Sequence, residues 1–215
     1  MYEHIAGRLA EVRNRIADAA GRAGRPPASV RLIAVSKTHS IDAIRAAADA
    51  GQLDFGENKV QEALQKIAQS ADTRLRWHLI GHLQSNKAKK AAAAVDSIHA
   101  VDSIDLLKKI DQAAAEAGRT LEVLVQVDLA LEDTKHGAPV DAVAGIFAAA
   151  AQCRSVALVG LMLLPPLAEN PEDARRGRGG WQEVGGEHPP SVPPGGSVDE
   201  TARRLAAAGL IVDHL

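Results

Sequence analysis

The feature that most constrains this chain is an alternation, repeated six times, of a short apolar run with an amphipathic helical pattern. The apolar runs are Val30–Val35, Leu53–Phe55, Arg76–Ile80, Ser97–Val101, Leu121–Val127 and Val156–Leu164. The helical patterns between them are Ile41–Ala50, Lys59–Gln69, a lysine- and alanine-rich stretch after Asn86, Ile104–Ala117 and Val140–Ala151. Short β-branched runs without polar alternation read as strands buried on both faces, as in a parallel sheet. Strand-then-helix steps of about 20–30 residues are the signature of repeated βαβ units. There is no Gly-rich dinucleotide fingerprint, so the repeat favours a (β/α)8 barrel over an open doubly wound sheet. A full barrel has eight strands and about 250 residues, so a 215-residue chain runs short.

The start of the chain, Tyr2–Ala23, sets Ile5, Leu9, Val12 and Ile16 at spacings of three and four on one helical face, ended by Gly24-Arg25-Pro26-Pro27. Being charged on both signs, it reads as neither a signal peptide nor a membrane span. A net charge of −2 and 2% aromatic content offer no footprint for nucleic acid or a membrane surface. The one cysteine, Cys153, has no disulfide partner within the chain, which suits the reducing cytoplasm, and reads as a small buried hydrophobe. After about Asn170 the pattern changes. Arg175–Gly196 is dense in Gly, Pro and Arg and has neither strand nor helix period. A capping box at Ser197–Glu200 opens a short helix over 201–208, and Gly209–Val212 reads as a strand with no clear docking partner.

Polar residues recur at the carboxyl ends of the strands, which in a barrel converge on one mouth. They are Lys37, Asn58, His82 and Asp128, with Met162 near the end of the sixth strand. A lysine at a strand end is an amine nucleophile toward an aldehyde, or else a solvated loop residue. Asn58 reads equally as a helix cap or a ligand contact. His82 reads as a loop hydrogen-bonding residue or a site residue, and Asp128 as a turn or cap. His78, within the third strand, reads as a satisfied core histidine. Lys87, Lys89 and Lys90 read as a solvated helix face, with a phosphate-binding patch as the alternative. No metal-ligand spacing, nucleophile elbow or P-loop is present.

Five segments in order, AVSKT at 34–38, FGENKVQE at 55–62, WHLIGHLQSNK at 77–87, QVDLALEDTKHG at 126–137 and GLMLLPP at 160–166, resemble the YggS/PROSC family of pyridoxal phosphate homeostasis proteins. The resemblance covers residues 1 to about 173. It implies an α/β fold, a (β/α)8 TIM barrel of the alanine racemase N-terminal type, here incomplete, with about six βα units and an irregular tail. It also implies that pyridoxal 5′-phosphate is held as a reversible Schiff base on Lys37 with Asn58 beside its ring, and that the protein is a cytoplasmic carrier, not an enzyme. A monomer with the cofactor as its partner is expected, without nucleic acid or membrane.

The racemase relatives use a tyrosine from a second domain as a base, whereas the only tyrosine here is Tyr2. Family members continue with a serine-rich MGMS-type loop and a strand ending in Arg-x-Gly, which bind the phosphate and approach the pyridine nitrogen. Neither occurs in residues 174–215, which are expected to be a poorly ordered, atypical tail. The switch resembles a frameshifted reading of the usual C-terminus and implies impaired cofactor binding. Translating the gene's other frames downstream of codon 174 tests the frameshift.

Overall fold

The computed structural model describes residues 2–128 and 136–163 in full and the backbone of 211–214. Helix α1, His4–Arg22, precedes the first strand and lays Leu9 and Ala20 against the core. The βα steps then follow as β1 (Leu32–Val35), α2 (Ile41–Asp49), β2 (Asp54–Glu57), α3 (Val60–Ser70), β3 (Arg76–Leu79), α4 (Ala88–Ala92), β4 (Ser97–Val101), α5 (Ile104–Glu116), β5 (Leu121–Val127), α6 (Val140–Ala150) and β6 (Val156–Leu163). A last strand, β7, spans Ile211–His214.

Every pairing is parallel, and the strands lie in the order β6-β5-β4-β3-β2-β1-β7. The sheet curls. Arg31, just ahead of β1, reaches Glu122 on β5 at 3.5 Å, although four strand intervals separate them along the sheet. Helices cover the outer face. Phe55 and Trp77, 5.8 Å apart, pack there with Leu79, Ile98, Leu121, Val123 and the apolar stripes of α2, α3 and α5. The caps follow local chemistry: the Ser40 hydroxyl accepts from the Ala43 N–H, and that of Ser103 from the Leu106 N–H. The Ser103 hydroxyl in turn donates to the Asp102 carboxylate.

Two readings change. The strand expected over Gly209–Val212 without a clear docking partner is found at Ile211–His214, and it pairs with β1 over its whole length, with Leu32 opposite Ile211 and Val35 opposite His214. The end of the chain thus supplies an edge partner, because an extended β-branched segment satisfies the unpaired backbone groups of β1. The second strand runs to Glu57, two residues beyond the expected Phe55. Glycine and glutamate are poor strand formers, yet here both are buried between neighbouring strands, and that setting overrides their propensity. The expected helix at 201–208 and the whole Gly/Pro-rich stretch Arg175–Gly196 lie outside the described residues.

Candidate functional site

Lys37 sits one residue past the buried Ser36, at the carboxyl end of β1. Alternation sets its direction. Ile33 and Val35 are buried but stand apart from the helix-side core, while Ala34 belongs to it, and the Ser36 hydroxyl turns to the helix side to donate to Glu57 Oε1 at 2.6 Å. Lys37 therefore falls on the lumen side, half-buried at the mouth. Its chain bends in a turn closed by the His39 N–H donating to the Ser36 carbonyl at 3.0 Å. Thr38 occupies the third position of that turn with φ 65°. A positive φ there, behind a residue with ordinary φ, is the type II arrangement that normally calls for glycine. A β-branched residue in that region is strained by roughly 1–3 kcal/mol.

The strain is held by a polar cluster whose inner members, Lys66 and Glu57, are buried. Lys66, on α3, uses all three ammonium donors: to the Ser36 carbonyl at 2.6 Å, to Glu57 Oε1 at 2.8 Å and to Glu62 Oε1 at 2.7 Å. Glu62 Oε1 also accepts the Thr38 N–H at 2.7 Å. The hydrogen bond from Lys66 holds the Glu62 carboxyl below its ordinary range, with the Thr38 N–H adding to it against a burial effect of opposite sign. Glu57 is only 1% exposed, and its Oε2 has no partner among the described residues.

Asn58 lies half-buried at the end of β2. It does not cap α3; that position belongs to Lys59, whose side chain makes no capping bond. Gly81, after β3, presses on its backbone: a Cβ at residue 81 would lie 2.7 Å from Asn58 Cα. Among the described residues no hydrogen bond or ion pair engages the Lys37 ammonium or the Asn58 carboxamide. His82 is exposed, stacked on His136 with centroids 3.8 Å apart and 3.8 Å from the Asp102 carboxylate. The Asp128 N–H donates to the Ala138 carbonyl, and Met162 is buried on β6 opposite Gln126. Lys89 pairs with Glu116 on the outer surface. Most of the loop after Asp128, residues 129–135, falls outside the described residues.

Deeper in the lumen, His78 bonds Asp54 at 3.0 Å and His99 at 3.1 Å, which makes it a satisfied core histidine. Burial opposes ionisation of Asp54, but hydrogen bonds from His78 and Arg76 hold its carboxyl below the ordinary value. Burial and the charge of His78 push His99 down to about 3. Cys153 packs partly buried after α6, its thiol pushed up by burial, which disfavours the reactive thiolate. At the opposite, amino-terminal end, a cleft is lined by Arg13, Arg31 and Arg76, each already paired, to the Ala50 carbonyl, Glu122 and Asp54. Among the described residues no group of three His, Cys, Asp or Glu side chains is placed to hold a metal ion. None of their helices is long and apolar enough to cross a membrane.

A disengaged amine, a carboxamide and imidazoles around one mouth suit a carbonyl-bearing aromatic ligand. His136, Glu57, Glu62, Lys66 and His99 were not singled out in the sequence. The spacing of Glu62 and Lys66, four apart on one helix, was the available signal.

The model of the alanine racemase N-terminal domain family matches residues 8–185. The pyridoxal phosphate homeostasis protein of Pseudomonas aeruginosa is 41% identical over 166 residues, 77% of this chain and 72% of that protein. The structure of PipY from Synechococcus elongatus with PLP bound superposes with a TM-score of 0.67 at 40% identity, covering 83% of this chain and 82% of PipY. An alanine racemase of Clostridium difficile, 13% identical, shares the fold with a TM-score of 0.61 over 86% of this chain and 44% of the racemase.

Proposed function

Because this chain belongs to the YggS/PROSC family of pyridoxal phosphate homeostasis proteins, with an alanine-racemase-type barrel domain, we propose that it binds pyridoxal 5′-phosphate and takes part in its homeostasis. The observation that carries the reading is the half-buried Lys37 at the carboxyl end of β1, whose ammonium is engaged by no described residue. Its amine adds to the aldehyde carbon and water leaves, forming a C=N bond that water reverses, so the site holds and releases its ligand. Asn58, its backbone wedged by Gly81 and its side chain not used to cap α3, would present its carboxamide beside the ring, as the family resemblance implies. PipY, solved with PLP bound, supports the ligand assignment.

The reading is a carrier, not a racemase. Proton movement at an amino acid needs a positioned base on the substrate. The one tyrosine, Tyr2, is engaged by its hydroxyl with Ser40 at 2.9 Å. We take residues 1–173 as the binding domain and 174–215 as an atypical tail. The single cysteine supports a cytoplasmic setting. We read the protein as a monomer, which sedimentation tests.

Titration with pyridoxal 5′-phosphate, followed by Schiff-base absorbance, tests the assignment. The expected signal is reversible and disappears in Lys37→Ala. The tail lacks the family's phosphate-binding motifs, each of whose charge-assisted hydrogen bonds would contribute roughly 1.5–3 kcal/mol, so the affinity is expected to be weak. Tight binding through Lys37 would show that the phosphate is gripped elsewhere. Absorbance that persists in Lys37→Ala would sink the site.

A further inference from the structure

We infer that Lys66, acting through Glu62, is the positioning residue for Lys37: it locks the Lys37–Thr38 peptide in the strained turn that aims the amine into the mouth. The inference rests on the proposed role of Lys37 and adds to it a device outside the lumen.

The argument starts from the two turn types open to residues 36–39. With the same closing hydrogen bond from His39 to Ser36, a type I turn would put Thr38 at negative φ, where a β-branched residue is comfortable. The type II form instead rotates the Lys37–Thr38 peptide by about half a turn and leaves Thr38 at positive φ. The observed φ of 65° belongs to the second form, so something must favour it. In the rotated peptide the Thr38 N–H points at α3, where Glu62 Oε1 receives it at 2.7 Å. Glu62 is oriented by Lys66, one helical turn on, and Lys66 is fixed by Glu57 and by the Ser36 carbonyl. One buried ammonium therefore holds the peptide units on both sides of Lys37, while nothing among the described residues holds the Lys37 side chain. The backbone is fixed and the amine left available, as preorganised attack on an aldehyde requires. A lysine only 6% exposed is unusual for this residue type, and its three bonds all serve this turn or the carboxylates that brace it.

The experiment uses the full chain with Glu62→Ala, Lys66→Met, Thr38→Gly and the Glu62→Ala/Thr38→Gly pair, each checked for fold by circular dichroism. Two readouts are taken: hydrogen exchange of the Thr38 amide in the cofactor-free protein, and the dissociation constant for pyridoxal 5′-phosphate from Schiff-base absorbance. Glu62→Ala is expected to speed exchange and weaken binding, each about tenfold, the loss of one charge-assisted bond. Adding Thr38→Gly should recover most of the lost affinity, since glycine adopts the positive φ unaided. A general packing defect would not be rescued in this way. Should Lys66→Met fail to fold, with Glu57 left buried beside no cation, Glu62→Ala still decides the matter because its side chain is 26% exposed. Exchange and affinity within twofold of the parent, or no recovery on adding Thr38→Gly, overturn the inference. A parent chain with no Lys37 adduct sinks the proposed function instead, and Thr38 exchange then decides the turn lock alone.

Discussion

Lys37 and Gly81 show how single residues divide between what a sequence displays and what it conceals. Lys37 was legible because a lysine directly after an apolar run must sit at a strand end, and its motif carries the family resemblance. Glu57 lay within a quoted motif without standing out, because nothing local tells a buried glutamate from a solvated one. Gly81 looked like an ordinary loop glycine; only the fold brings the Asn58 backbone to where its Cβ would stand. Gly81→Ala is therefore expected to destabilise the protein by about 1–3 kcal/mol, since neither backbone yields easily. Urea unfolding measures the loss. The same variant should weaken pyridoxal 5′-phosphate binding by displacing Asn58.

At the scale of elements, β4 has the bounds its sequence predicts, Ser97–Val101, but its chemistry is not legible there. His99 looks like a polar interruption; in the fold it is 1% exposed, bonded to His78 and pushed down to about 3 from an ordinary 6.5. The unfolded chain thus binds more protons between those values. The stability from keeping His99 neutral is fully present above about pH 6.5 and is lost as the pH falls toward 3. The slope contributed approaches about 1.4 kcal/mol per pH unit. Urea midpoints at about pH 7 and about pH 5 should differ accordingly, and His99→Gln should flatten the difference. Equal slopes in the two proteins would count against this account.

At the scale of the molecule, the chain covers the β1 edge of its sheet with a strand from residues 211–214. Pairing of β7 with β1 spans nearly 180 residues of sequence, and no periodicity within either segment announces it. A chain ended after residue 210 would leave the β1 edge open, an invitation to pairing between molecules. Light scattering should then show association that grows with protein concentration, while the full chain stays dispersed. Equal behaviour of the two would mean that β7 protects nothing.

The sequence by itself determined the βα succession, the parallel sheet, the places of the six principal strands to within a few residues, and the positions of Lys37 and Asn58. These follow from hydrophobic period and turn chemistry, which act over a few residues. Only the tertiary structure decided which polar groups are buried together: Lys66 with Glu57 and Glu62, His99 with His78, and the strained Thr38 turn they surround. Those choices depend on desolvation and on hydrogen bonds between separate elements, so they exist only once the helices have closed over the sheet.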